Sequence, residues 1–223
     1  MNTHRTRVCL AALVLFGCSS SPDEPEAVEG EEQAAAYANA VVSFEPGEEA
    51  GFGADKLPGV VLGPPKGKGL TAGSLDVLSL GKGGSIVLGF EPFAIVDGDG
   101  TDLVVFENPF WPGGDSAAVY AELGEVSVSA DGVDWIAFPC DTAGDGAGNF
   151  PGCAGFTPTL EYDAAAVAPL DPAVTGGDAF DLAEVGLASV RYVRVTDVSD
   201  AGASPSAGFD LDAVGVVQRD DAR

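Results

Sequence analysis

The stretch Glu125-Val126-Ser127-Val128-Ser129-Ala130-Asp131-Gly132-Val133-Asp134-Trp135-Ile136-Ala137-Phe138 decides the fold. Its first half alternates valine with serine, so we expect a strand with one buried face and one face in water. Asp131-Gly132 is a strong signal for a tight turn between antiparallel strands. Trp135 then stands where the return strand begins, and the whole stretch is typical of a β-hairpin.

The same alternation of apolar runs and turn residues continues on both sides of this hairpin. Short apolar segments are separated by Gly, Pro, Asp and Asn, and the chain contains 31 glycines. This pattern predicts an all-β sandwich over residues 41–218, with short helical turns only at 162–167 and 182–185. The predicted strands are residues 41–44, 59–62, 75–80, 85–90, 103–107, 122–130, 135–139, 190–197 and 209–217.

Two phrases of the chain resemble parts of discoidin and galactose-binding-like domains: Val128-Ser129-Ala130-Asp131-Gly132-Val133-Asp134-Trp135 and Val190-Arg191-Tyr192-Val193-Arg194-Val195. A family of bacterial secreted and surface lipoproteins, described as cell surface proteins, is similar over more of the chain. The similar segments are residues 83–90, 102–108, 180–184 and 208–215. The resemblance implies a jelly-roll β-sandwich at the cell surface, and it implies no particular ligand.

The first residues have the pattern of a secretion signal. Basic residues precede a short apolar run that ends at Gly17-Cys18, and the run is too short to span a membrane permanently. This end resembles a bacterial lipobox, so residues 1–17 are predicted to be a lipoprotein signal peptide, with Cys18 lipidated. Cleavage by ordinary signal peptidase is the alternative, since Phe16 departs from the small residue usual there. Ser19 resembles the pattern that permits sorting to the outer membrane.

The residues after Cys18 are rich in Ser, Pro, Glu and Ala, which cannot bury enough apolar surface to fold. We therefore expect residues 18–40 to be a disordered acidic tether between lipid and domain, and residues 219–223 to be a short tail.

The composition excludes several functional classes. With 35 acidic against 10 basic residues and a net charge of −25, the chain lacks the positive surface that nucleic acid or anionic lipid requires. The predicted contact with a membrane is therefore through the lipid anchor alone. The single histidine, His4, lies in the signal segment, which excludes histidine-based triads and zinc sites from the mature protein. Cys140 and Cys153 are expected to form a disulfide in an oxidising compartment.

Residues 95–108 carry the most concentrated polar chemistry of the chain. Asp97, Asp99 and Asp102 lie on a glycine-rich loop, an apolar run follows, and Glu107 stands at its far end. Carboxylate oxygens on such a loop are the hard ligands that Ca²⁺ prefers, so a structural calcium site is one interpretation. A polar turn between two buried strands is the other.

A second acidic pair, Asp210 and Asp212, lies within an apolar run. On a strand both side chains project from one face, where two carboxylates repel each other unless a cation, water or donors lie between them. We expect one or both to complete the calcium site. The alternative is that both are solvated strand residues.

The segment Asn108-Pro109-Phe110-Trp111 places two aromatic side chains on a Pro/Gly-rich connection. Asn108, Phe110 and Trp111 are therefore candidates for binding a sugar ring or a protein partner. The alternative is that the aromatic rings cover one end of the core. Arg194 is expected to pair with an acidic neighbour across the sheet.

These observations predict a non-catalytic cell-surface binding module for a glycan or a protein, with a structural calcium ion. A purely structural envelope lipoprotein without a small-molecule ligand is the alternative. A glycoside hydrolase-like enzyme is the third possibility, because two carboxylates can form such a site.

Overall fold

The computed structural model describes residues 35–66, 70–145 and 149–220, and they form an all-β domain in which every strand ladder is antiparallel. The predicted signal peptide and the predicted lipidation site at Cys18 lie outside the described residues. The strands, in chain order, are β1 (Ala36–Tyr37), β2 (Ala40–Glu45), β3 (Leu78–Ser79), β4 (Ser85–Gly89), β5 (Ala94–Val96), β6 (Leu103–Phe106), β7 (Gly124–Ser129), β8 (Ile136–Ala137), β9 (Asp178–Phe180), β10 (Ser189–Val190), β11 (Tyr192–Asp197), β12 (Asp210–Leu211), β13 (Ala213–Val216) and β14 (Arg219–Asp220).

Helical structure in the described part is confined to single turns. The α-helical turns are α1 (Tyr162–Ala165) and α2 (Pro172–Thr175), and 3₁₀ turns occupy Ala54–Lys56, Pro112–Gly114 and Leu182–Val185. None of the helices in these residues is long and apolar enough to cross a bilayer.

Two sheets contribute the main core. One has five strands in the order β2-β4-β11-β7-β8, and the other has four in the order β1-β13-β6-β9. Alternate residues of β11 are buried, so Val193 and Val195 enter the core while Tyr192 and Arg194 lie on the outer face. Leu103 and Val105 of β6 reach the same core from the four-stranded sheet. This arrangement follows from the period of two along a strand, which directs neighbouring side chains to opposite faces.

Strand β6 is buried on both faces, as its continuous apolar run indicates. Leu103 and Val105 join the main core, whereas Val104 and Phe106 join a second apolar cluster with Tyr37 and Leu170. The residues that follow β6 are therefore anchored to a strand that is buried inside the domain.

The domain extends beyond its expected limits at both ends. Ala36 and Tyr37, assigned to the tether, pair with β13, and the buried Tyr37 hydroxyl donates to the carbonyl of Ala165. Arg219 and Asp220, assigned to the tail, pair with β5. Burial of one aromatic ring and completed backbone pairing outweigh the polar composition around these short segments.

Local assignments also differ from the expectation at several positions. Residues 59–62 form turns and bends in place of a strand, and only Leu78 and Ser79 of the predicted strand 75–80 are paired. Strands β5, β9 and β14 were not predicted, and β10 was not separated from the strand predicted at 190–197. Each has only two or three residues, which is too few to show an alternation of apolar and polar side chains. The disulfide between Cys140 and Cys153 is present, as expected.

The predicted hairpin at residues 125–138 forms, but its outer face is not exposed to water. Ser127 and Ser129 are fully buried, because the Arg194 side chain lies against Ser127 and the turn residues fold back over Ser129. The hydroxyl of Ser129 accepts hydrogen bonds from the backbone N–H groups of Asp131 and Gly132 and donates to the Asp131 carboxylate. Polar side chains thus replace water at this turn.

Candidate functional site

Strand β6 divides the predicted calcium ligands between two separate carboxylate clusters. Asp97 and Asp102 lie before the strand and converge with Asp181, whereas Glu107 lies after it and converges with Glu122 and Asp210. Five residues of extended chain span about 17 Å, so Asp102 and Glu107 cannot share one ion. The six predicted ligands therefore do not form one site.

The cluster of Glu107, Glu122 and Asp210 is the inner one. One carboxylate oxygen from each of the three side chains lies within 4.8 Å of the others, and all three residues are buried. Asp210 is positioned by β12, which pairs with β3 so that the Ser79 hydroxyl donates to the Asp210 carboxylate. Glu107 Oε1 accepts a hydrogen bond of 3.2 Å from the backbone N–H of Asp210. The three acids therefore come from three distant parts of the chain.

The second oxygen of Glu107 has no partner. Glu107 Oε2 is fully buried and accepts no hydrogen bond in the described part of the chain. In the described residues, the hydrogen bond to the Glu122 carboxylate is a long one, from the Tyr120 hydroxyl to Glu122 Oε1 at 3.5 Å. A buried carboxylate oxygen without a donor is costly, so this group requires either a proton or a ligand that supplies positive charge.

The electrostatics of the inner cluster are those of acids held together out of water. Burial, followed by the charges of Asp210 and Glu122, raises the pKa of Glu107 well above its ordinary value. Burial, then the charges of Asp210 and Asp197, raises the pKa of Glu122 to about 8. Burial also raises the pKa of Asp210 to about 6, although hydrogen bonds from Ser79 and Asn108 oppose the change. No lysine or arginine is paired with these three acids in the described residues.

The outer cluster is explained by backbone hydrogen bonds. The fully buried Asp102 accepts from the N–H of Gly98 at 2.9 Å and from the N–H of Leu182 at 2.7 Å. Asp181 accepts from the N–H of Ala183 and so caps the 3₁₀ turn that begins at Leu182. These two carboxylates tie a loop to a turn, which favours the interpretation of this corner as a polar turn.

The remaining two predicted ligands lie in neither cluster. Asp99 is exposed on the loop between β5 and β6. Asp212 is buried between β12 and β13, where its two oxygens accept from the backbone N–H of Lys66 at 3.1 and 3.2 Å. Burial raises the pKa of Asp212 to about 7. Asp210 and Asp212 therefore have different partners, although a single residue lies between them, as for neighbours on one face of a regular strand.

The aromatic segment after β6 has three different environments. The Asn108 side chain binds both backbone groups of Ser74 and so holds a loop. Phe110 is half-buried and stacks on Tyr120, with ring centroids 5.2 Å apart. Trp111, also half-buried, lines a cavity of about 570 Å³.

That cavity has aromatic walls and a polar rim. Phe150 and Phe156, which meet edge to face at 5.6 Å, lie opposite residues of the 111–119 connection. Asn149 and Thr157 add polar groups. Its volume is in the range of small-molecule sites in proteins. Of the three predicted ligand-binding residues, only Trp111 borders it.

Two acids that complete the clusters were missed from the sequence. Glu122 was the first residue of a predicted strand and Asp181 stood just before a predicted helical turn, and neither was expected near the loop at 95–108. The only local signal is that each lies close to the end of an element, where side chains of different strands meet. Asp181 directly follows β9, which pairs with β6, and Glu122 lies just before β7, which pairs with β11.

In comparisons with known proteins, no family model matches the chain, and the search of curated proteins gives no match.

Proposed function

We propose that this protein is a non-catalytic cell-surface binding module, a jelly-roll sandwich of the galactose-binding-like type whose scaffold holds a calcium ion. The observation that carries the binding role is the cavity of about 570 Å³ beside Trp111. Aromatic walls with a few polar groups at the rim are what glycan and protein partners use for stacking and orientation. The cell-surface location is supported by the sequence pattern around Cys18 alone.

The calcium part of the proposal is supported by the inner cluster. Three carboxylates supply up to six oxygens, which is the lower end of the coordination number of Ca²⁺. Glu107, Glu122 and Asp210 are all oxygen ligands, and the orphaned Glu107 Oε2 marks where charge compensation is missing. A bound Ca²⁺ would cancel the repulsion among these acids and join β6, β7 and β12. Its role is therefore structural.

The burial of the same acids is the reason for preferring a non-catalytic role. A hydrolase needs two carboxylates that reach a substrate. Glu107, Glu122 and Asp210 are each at least 92% buried, and the cavity beside Trp111 is lined by none of them.

A glycan array in the presence of Ca²⁺, followed by titration of any bound glycan, tests the binding role. We expect Trp111→Ala to weaken binding by about tenfold or more, as for an aromatic anchor, without changing the melting temperature. Val133→Ala removes an exposed apolar side chain outside this cavity and serves as the control. The absence of any bound glycan, or equal affinity of the Trp111 variant, would favour a purely structural envelope lipoprotein.

A further inference from the structure

The outer face of the five-stranded sheet carries a second cavity, whose lining contains no residue of either acidic cluster. It has a volume of about 390 Å³ and lies over strands β2, β4 and β11 and the turn after β7. Its walls include Trp135, Tyr192, Arg194, Asp131, Val42 and Ser43. We call it the Arg194 groove.

Arg194 is held in this groove by an aromatic ring and has no acidic partner. Its guanidinium carbon lies 4.6 Å from the centre of the Trp135 ring, and Nη2 reaches Ser127 Oγ at 3.4 Å. Nε is buried and has no hydrogen-bond partner. No carboxylate lies within 4.0 Å of Arg194 in the described chain.

Among the described basic residues, Lys66, Lys82 and Arg191 are each paired with a carboxylate, at 3.5, 2.9 and 3.7 Å. Lys56, which has no such pair, is exposed and donates to the carbonyl of Leu75. Arg194 differs from Lys56 because it is half-buried, and the Trp135 ring and Ser127 restrict its guanidinium group. A fixed planar fork of N–H donors matches a carboxylate, which can accept two parallel hydrogen bonds.

An irregularity in β2 aims two side chains at the same groove. Val41 pairs with Leu88 and Ser43 pairs with Val87, so Val42 is the extra residue of a β-bulge. In a regular strand Val42 and Ser43 would project to opposite faces, yet both line the groove. Val42 is 55% exposed there. Bulges re-aim side chains in this way beside binding sites.

Tyr192 forms the remaining aromatic wall. A Cβ atom on Gly132 would stand 3.5 Å from the Tyr192 ring, and one on Gly89 would stand 4.0 Å from it. The ring thus lies against backbone that carries no side chain, and it also lines the groove. Asp131 is fixed nearby, because its Oδ1 accepts from the N–H groups of Val133 and Asp134.

We propose that the Arg194 groove binds a uronic acid unit of an acidic saccharide. The guanidinium group of Arg194 pairs with the carboxylate, and the sugar ring packs against Tyr192 and Val42. Ser43 and Asp131 form hydrogen bonds with hydroxyl groups of the sugar. The net charge of −25 opposes the approach of a polyanion, but at physiological ionic strength this repulsion is screened beyond about 8 Å. The inference rests on the proposal that the domain is a binding module, and it concerns a surface separate from the Trp111 cavity.

The two tryptophans of the chain allow each cavity to be observed separately. Each indole N–H gives one signal in a proton–nitrogen correlation spectrum, assigned with Trp111→Phe and Trp135→Phe. The probes are methyl glucuronoside and methyl glucoside, which differ only in the carboxylate. We expect the glucuronoside to shift the Trp135 signal and to bind about tenfold or more tightly than the glucoside.

Variants then test the role of the guanidinium. Arg194→Gln should abolish the shift and Arg194→Lys should retain part of it, while Arg191→Gln, which alters a paired arginine, should leave it unchanged. Equal binding of the two sugars, no shift of the Trp135 signal, or equal loss in both glutamine variants would overturn the inference. A shift of the Trp111 signal alone would also overturn it, while leaving the proposed binding role intact.

Discussion

Neutralising Glu107 should stabilise the calcium-free protein and remove its response to calcium. Glu107→Gln keeps the shape of the side chain and the Oε1 acceptor for the backbone N–H of Asp210. It removes an acid that the folded protein must either bury as a third negative charge or keep protonated. Most substitutions of a buried, hydrogen-bonded residue destabilise a protein, so a stabilising effect is a distinctive expectation.

The distance between the carboxylates determines how large the increase in the free energy of unfolding should be. Two unit charges 4.8 Å apart repel by about 3.5 kcal/mol at an effective dielectric constant of about 20. Because burial raises the pKa of Glu107 well above its ordinary value, the folded wild type at pH 8 either keeps this repulsion or binds a proton that the unfolded chain has released. Glu107→Gln avoids both costs, and we expect a gain of roughly one repelled pair, or about 3 kcal/mol. For a domain of this size that corresponds to an increase in melting temperature of about 6–12 °C.

Calcium should cancel most of the advantage of the variant. At a free concentration of 100 times its dissociation constant, an ion that binds only the folded state stabilises it by about 2.7 kcal/mol. The wild type should show this gain, and Glu107→Gln, which has lost a charged ligand, should not.

The assay is thermal unfolding at pH 8 in EGTA and in excess Ca²⁺ for the wild type, Glu107→Gln and Asp99→Asn. Asp99→Asn makes the same charge change at an exposed position outside both clusters, so it should respond to calcium like the wild type. If Glu107→Gln melts below the wild type in EGTA and calcium shifts all three proteins equally, Glu107 is neither a repelled charge nor a calcium ligand.

Three further substitutions test the scaffold. Replacing both Cys140 and Cys153 by serine opens a link with a sequence separation of 13 and should cost about 3 kcal/mol, measured as a lower urea midpoint; an unchanged midpoint would contradict the contribution of the disulfide. Asp102→Ala leaves two backbone N–H groups without their acceptor and should cost about 3 kcal/mol by urea unfolding, whereas Asp97→Ala at an exposed position should cost less than about 0.5. Asp212 has a pKa of about 7 in the folded state. Above a pH of about 4, the folded state therefore keeps a proton that the unfolded chain has released, and the wild type should lose stability as the pH rises toward 7. Asp212→Asn should flatten this decline in melting temperatures recorded in EGTA between pH 5 and 8, and an equally steep decline would show that other groups cause it.

The class of fold follows from local patterns. The predicted strand 190–197 contains β11, in which Val193 and Val195 alternate with Tyr192 and Arg194, and the valines are the residues that enter the core. The disulfide was also predictable, because Cys140 and Cys153 are the only cysteines that follow the predicted lipidation site. Patterns of this kind concern neighbours along the chain, where the geometry of an extended backbone is constant.

The environment of a polar side chain was not predictable in the same way. Ser127 and Ser129 follow the pattern of a wet face, but Arg194 and the folded turn cover them. Arg194 was expected to pair with an acid across the sheet, and Trp135 lies there instead. The burial of the two serines and the partner of Arg194 both depend on which side chain of the neighbouring strand lies beside them.

The acidic sites show most clearly what the sequence and the tertiary structure each determined. The concentration of acids around β6 was visible in the chain, and so was their suitability as hard ligands. The tertiary structure decided that Asp102 is satisfied by backbone N–H groups and that Glu107 meets Glu122 and Asp210 out of water. Glu122 and Asp210 are 15 and 103 positions away from Glu107 along the chain. Whether their side chains meet depends on how distant strands pair and in which register, and a local stretch of sequence does not contain that information.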